Sequence, residues 1–153
     1  MVAPRILVDA DACPVKEEIY KVAFRHAVKV TLVTNQHLRV PPHPLIERIT
    51  VGSGFDAADD WIAEATGPDA VVITTDILLA DRCLKAGAAA VISPTGKPFT
   101  DASIGSAVAT RAIMADLRAG MGEGVGGPAP FSKTDRSRFL SALDEALVRA
   151  KRG

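Results

Sequence analysis

A chain of 153 residues with 48% hydrophobic and 24% charged side chains suits one globular domain with a sizeable core. Its 18 basic and 18 acidic residues cancel, so no global field draws nucleic acid, and such binding would need a local basic face. No apolar stretch reaches membrane-spanning length, the opening Met1-Val2-Ala3-Pro4 lacks the regions of a signal peptide, and Cys13 and Cys83 form no metal-type CxxC pair; a reduced, cytoplasmic protein is expected, with no membrane contact.

Arg5 to Val8 is a short apolar run that stops at Asp9-Ala10-Asp11, which reads as a buried strand ending in two acids. Pro14 suits the first turn of a helix, where its missing N–H costs nothing, and Val15, Ile19, Val22, Ala23 and His26 then recur at helical spacing. Val28 to Val33 is β-branched and apolar and predicts a second strand, closed by Thr34-Asn35-Gln36-His37 and the prolines Pro41, Pro42 and Pro44. Ile49-Thr50-Val51 predicts a short third strand, and Asp56 to Ala65 a helix with Ala58, Trp61, Ile62 and Ala65 as its apolar stripe. Ala70 to Thr74 is the strongest strand signal and is followed by Asp76. Leu78 to Lys85 then predicts a helix with Gly87 as its left-handed cap, and Ala89 to Ile92 a last strand. Ser103 to Arg118 has helical spacing, and residues 120–130 form a glycine-rich internal loop. A helix over 133–151 buries Phe139, Leu140, Leu143 and Leu147, with Ser132 and Asp135 as its capping box. Strands alternating with helices imply an α/β fold of residues 1–153 in a single domain, with a mainly parallel sheet and right-handed crossovers.

In such a sheet the chemistry gathers where strand order reverses, at the carboxyl ends of the strands. If the first strand neighbours the Val71–Ile73 strand, Asp9, Asp11 and Asp76 enter one crevice, and Asp59 joins from the margin of its helical stripe. Asp60 falls on the solvated side with Glu64; Asp56 is placed for an N-cap, and Asp81 is either a supporting acid or plain surface. Clustered carboxylates repel one another unless a cation or a shared proton intervenes, and three or four hard oxygens suit Mg²⁺ or Mn²⁺. The bland alternative is that Asp9 and Asp76 merely cap the helices after their strands.

Val8-Asp9-Ala10-Asp11-Ala12-Cys13-Pro14, Asn35-Gln36-x-Leu38-x-Val40-Pro41, Gly54-Phe55-Asp56-x-Ala58-Asp59, Thr75-Asp76-Ile77-x-Leu79-Ala80 and Gly126-Gly127-Pro128 with Asp135-Arg136 occur in one order along nearly the whole chain. Together they resemble the YaiI/YqxD family of bacterial proteins; Leu78 stands where the family pattern has proline. That family is considered similar in fold to PIN domains, small metal-dependent ribonucleases. The resemblance therefore implies a three-layer, PIN-like sheet core and an acidic cleft for Mg²⁺ or Mn²⁺. It implies Asp9, Asp59 and Asp76 as metal-site acids, with Asp11 as a fourth.

Among the remaining residues, Asn35 and Thr75 sit on the expected rim, and Lys133 and Arg136 could close over it to bind phosphates; Arg39, Lys97 and Arg138 are the other cations placed to face a polyanion. Cys13 reads as a small buried residue, because Asp9 and Asp11 oppose its ionisation; His37 and His43 read as loop residues. One Trp, one Tyr and five Phe, with Trp61 read as buried, leave base stacking unsupported, so RNA recognition would rest on backbone contacts. The leading expectation is a metal-dependent phosphodiesterase acting on RNA, with Asp9, Asp11, Asp59 and Asp76 as its catalytic acids. Two alternatives stand beside it. One is a haloacid-dehalogenase-like phosphatase with Asp9 as nucleophile, Thr74 in its second motif and Lys85 or Lys97 as its lysine. The other is a non-catalytic RNA or nucleotide binder.

Overall fold

The structure is a computed structural model and describes residues 3–52, 54, 56–105 and 131–152. Five strands, β1 (Arg5–Asp9), β2 (Lys29–Thr34), β3 (Ile46–Thr50), β4 (Ala70–Ile73) and β5 (Ala90–Ile92), form one sheet in the order β3-β2-β1-β4-β5, and every pairing is parallel. Strand order reverses between β1 and β4, where Ile6 lies opposite Val30 on one side and Val71 on the other. Helices α1 (Lys16–His26), α2 (Ala57–Ala65), α3 (Ile77–Lys85) and α4 (Lys133–Arg152) cover the sheet.

Side-chain alternation along the strands divides the core into two layers. Ile6, Val8, Val30, Leu32, Val71 and Ile73 point to one face and pack with Ile19 and Val22 of α1 and Phe139, Leu143 and Leu147 of α4. Leu7, Val33 and Val72 point to the other, against Ile62 of α2 and Leu79 and Cys83 of α3. Both faces of the central strands are buried, which is why those strands read as continuous apolar runs. Burial of a side chain such as Phe139 contributes about 1.5–3 kcal/mol.

The elements follow the sequence reading closely, with informative differences. β3 begins at Ile46 rather than Ile49. It is an edge strand whose Glu47 pairs with Lys29 of β2 at 2.9 Å, and charges of this kind, common on edges, hid its start. Pro14 lies in a turn just ahead of α1, not within its first turn, because a 3-10 turn over Ala10–Ala12 delays the helix to Lys16. Trp61 is partly buried rather than enclosed, and Leu140 likewise. Gly87 has φ +91°, and the N–H groups of Gly87 and Ala88 reach the carbonyls of Leu84 and Cys83, the bonding pattern of a left-handed helix end. The Ser132–Asp135 box forms in both directions, each bond at 3.1 Å. Residues 101–105 are helical, started by a reciprocal Thr100–Ser103 pair; the rest of the helix expected over 103–118 and the glycine-rich loop over 120–130 lie outside the described residues. Among the described residues no helix is long and apolar enough to cross a membrane.

Candidate active site

The topology puts the carboxyl ends of β1 and β4 side by side at the reversal point, and each strand end delivers an acid. Asp9 is the last residue of β1, and Asp76 follows β4 by three positions. Asp76 starts α3: its Oδ1 accepts from the N–H groups of Leu78 and Leu79 at 2.8 and 3.2 Å. The helix-capping alternative is therefore true of Asp76, although its other oxygen is left over. It is not true of Asp9, which makes no cap bond. Instead Thr74, itself buried, donates its hydroxyl to Asp9 Oδ2 at 3.0 Å and accepts from the Asp76 N–H at 3.0 Å. One hydroxyl thus ties both acids together.

Asp59 approaches from the first turn of α2 and is partly buried. Burial, then the charges of Asp76 and Asp9, hold its carboxyl at about 6, well above the usual carboxylate range. Asp9 is also raised, chiefly by burial; the Thr74 hydrogen bond opposes that rise, while the Asp11 and Asp76 charges add to it. Three acids from separate elements therefore share one electrostatic environment. The nearby cation, Arg82 of α3, is directed at Asp60 at 2.9 Å and only moderates Asp59.

Asp11 serves the rim of β2. Its two oxygens accept from the Thr34 hydroxyl and from the Asn35 N–H, the latter at 3.0 Å. It thus lies near enough to raise Asp9 but is already engaged by β2. Asn35 and Thr75 are exposed on the same edge of the sheet, at the ends of β2 and β4. Lys133 is exposed at the start of α4. Arg136 is placed differently from a substrate clamp: its Nη1 donates to the Pro14 carbonyl and to Glu18 Oε1, both at 2.9 Å, and its guanidinium covers the Phe131 ring at 5.0 Å. It fastens α4 to the start of α1. Asp56 occupies the N-cap position of α2 without a side-chain cap bond, Asp81 pairs with Lys85 on the surface at 2.8 Å, and Cys13 is buried with its thiol pushed up by desolvation.

The sequence reading missed Thr34, and it saw Thr74 as a hydroxyl beside Asp76 and as the second motif of a phosphatase, not as the partner of Asp9. A signal was present for both in part: a threonine closes each of two apolar strands, where a β-branched hydroxyl can be buried and still donate, but only Thr74 has an acid close by in sequence.

Hard carboxylate oxygens gathered at one point, as where the charges of Asp76 and Asp9 bear on Asp59, suit a small divalent cation. Asp9 Oδ1, Asp76 Oδ2 and both oxygens of Asp59 accept no hydrogen bond from the other described residues. Among the described residues no three acidic, histidine or cysteine side chains stand close enough, as they are posed, to grip an ion together. The donors fit a cation held by one or two carboxylates with water in its remaining positions, the usual binding mode of Mg²⁺.

Comparison with known proteins adds a family. Residues 7–149 match the family described as "Uncharacterized BCR, YaiI/YqxD family". A "UPF0178 protein" of Sphingopyxis alaskensis is 74% identical over 153 residues, covering 100% of this chain and 99% of that protein. Proteins of the same name from Nitrobacter winogradskyi and Rhodopseudomonas palustris strain TIE-1 are 61% and 63% identical, covering 99% and 97% of this chain and 96% and 92% of their own lengths. No solved structure matches the chain.

Proposed function

This chain belongs to the YaiI/YqxD family, and on that premise we propose that it is a metal-dependent phosphodiesterase of the PIN-like kind, acting on RNA. The observation that carries the reading is the Thr74 hydroxyl binding Asp9 and the Asp76 backbone together, with Asp59 near enough for both charges to raise it. Carboxylates so placed at a strand-order reversal are poised to hold a cation against a phosphate.

In this reading one or two of Asp9, Asp59 and Asp76 would hold Mg²⁺ or Mn²⁺ directly and the remainder through its water, with Asp11 in support from the rim. The cation, when bound, supplies Lewis acidity toward the phosphodiester oxygens. Thr74 fixes the direction of the Asp9 carboxylate, and the α3 N–H groups fix that of Asp76, so neither acid must be ordered when substrate arrives. Asp59, whose carboxyl is held at about 6 by burial and by the charges of Asp76 and Asp9, would be kept ionised by a bound cation. Asn35 and Thr75 are the polar rim for the substrate, and Lys133 an outer phosphate contact.

The test is cleavage of labelled single-stranded RNAs by purified protein with Mn²⁺ or Mg²⁺. Activity is expected, with loss of at least about a hundredfold in Asp9→Asn and Asp76→Asn at unchanged circular dichroism. Preparations that cut no RNA with either ion, or that cut equally well as Asp9→Asn, would sink the reading. The Thr74–Asp9 bond also favours a second reading, a phosphatase with Asp9 as nucleophile. A phosphoryl group trapped on Asp9 and absent from Asp9→Asn would select it.

A further inference from the structure

An open groove of about 460 Å³ lies near the acidic crevice. The start of α1 forms one wall with Lys16 and Tyr20, and the loop after β2 forms the other with Arg39, Val40, Pro41 and Pro42. Both walls spring from the Asp11 rim. Lys16 Nζ donates to the Cys13 carbonyl at 2.9 Å, two positions beyond Asp11, and the Asn35 N–H that holds Asp11 begins the loop carrying Arg39.

The chemistry of the lining is cationic and aromatic. Lys16 has three donors, of which the Cys13 carbonyl takes one. Arg39 is exposed and enters none of the ion pairs among the described residues. Tyr20 faces Phe24 one helical turn on, with ring centroids 6.5 Å apart and planes 22° from parallel. Phe24 is 41% exposed, and its ring lies 4.3 Å from that of His43 on the proline-rich loop. A row of π faces thus leads away from the cleft along α1, so exposed aromatics are present after all. Prolines and Val40 give the opposite wall a stiff apolar surface. Glu17 is the carboxylate of the lining and opposes an anion there.

We infer that this cleft is the track by which single-stranded RNA reaches the acidic crevice, one base stacking on Tyr20 while the flanking phosphates meet Lys16 and Arg39. Stacking is tolerant of base identity, and the cations follow the backbone. The inference rests on the nuclease reading, yet binding and cleavage separate the two.

The experiment uses the full chain carrying Asp9→Asn in EDTA, so that no hydrolysis contributes, with fluorescein-labelled oligouridylate followed by fluorescence anisotropy. Arg39→Glu is expected to weaken binding about tenfold and to flatten its salt dependence. Tyr20→Leu, which keeps an apolar side chain against the core, is expected to weaken it about fivefold or more. Glu17→Gln is expected to tighten it. Tyr20 is the single tyrosine, so protein grown on fluorotyrosine has one ¹⁹F resonance, which should shift with oligouridylate and stay put with inorganic phosphate. An unmoved resonance, or unchanged affinity in both Arg39→Glu and Tyr20→Leu, overturns the track even if the wild type cleaves RNA. Binding through the cleft by a protein that never cleaves sustains the track and sinks the hydrolytic reading alone.

Discussion

The Thr74 hydroxyl donates to Asp9 Oδ2 at 3.0 Å, joining the ends of β4 and β1 where strand order reverses. Because the same oxygen accepts from the Asp76 N–H, a single buried atom sets the mutual position of two acids. Thr74→Val keeps the shape of the side chain and removes both bonds. It is expected to cost about 1–3 kcal/mol of stability, read from urea denaturation, and to raise the Asp9 carboxyl further, read by carbon-detected NMR titration. Unchanged stability would mean that the hydroxyl does not organise the site.

Asp59 makes stability depend on pH in a direction opposite to that of a salt-bridged acid. Its carboxyl is held at about 6 in the folded chain against an ordinary value of 3.8, so between those values the folded state binds more protons than the unfolded one. Its contribution therefore favours folding most at the acid end of that window and falls as pH rises through about 6. Relative to wild type, Asp59→Asn is expected to gain stability at pH of roughly 7 and to lose that advantage at roughly 4.5, measured as urea midpoints at both. A bound cation stabilises the charged form, so millimolar Mg²⁺ should move the Asp59 midpoint below its metal-free value. A titration indifferent to Mg²⁺ and Mn²⁺ would remove Asp59 from the cation site.

Asp76 caps α3, and the proposed function gives it a second duty that substitution can separate from the first. Asparagine caps a helix about as well as aspartate, whereas alanine costs about 1 kcal/mol. Asp76→Asn is therefore expected to keep the thermal stability of wild type and lose cleavage, while Asp76→Ala loses both. Equal stability of the two variants would show that the Leu78 and Leu79 contacts do not support α3.

Gly96 lies in the turn after β5, at φ +88°, against the backbone of α4. A Cβ there would stand 2.7 Å from the carbonyl carbon and oxygen of Arg138. The left-handed backbone and the clash together are expected to make Gly96→Ala destabilising by about 2–4 kcal/mol. Differential scanning calorimetry would check this; a loss of only a few tenths would mean that α4 can move off the turn freely.

Local chemistry made most of the fold legible. The abrupt end of Arg5 to Val8 at an acid, the strand signal of Ala70 to Thr74, the Gly87 helix end and the Ser132–Asp135 box all depend on near neighbours in the chain, and each is found. β3 was harder to read because Glu47 and Arg48 break its apolar pattern, and its register is set by β2 rather than by its own residues. Asp56 shows the converse: an acid at the right position for a cap that makes no cap bond.

The spacing of its residues was enough to set the alternation of strands and helices and to place acids at strand ends, since those follow from periodicity and steric preferences acting over a few residues. The partners of those acids were decided by the folded chain alone. Thr74 meets Asp9 across 65 positions, Thr34 meets Asp11 across 23, and Arg136 turns inward to Glu18 across 118. Hydrogen bonds and Coulomb forces act through space, and so the proton affinity of Asp59 and the role of Arg136 exist only once the sheet order has brought distant stretches together.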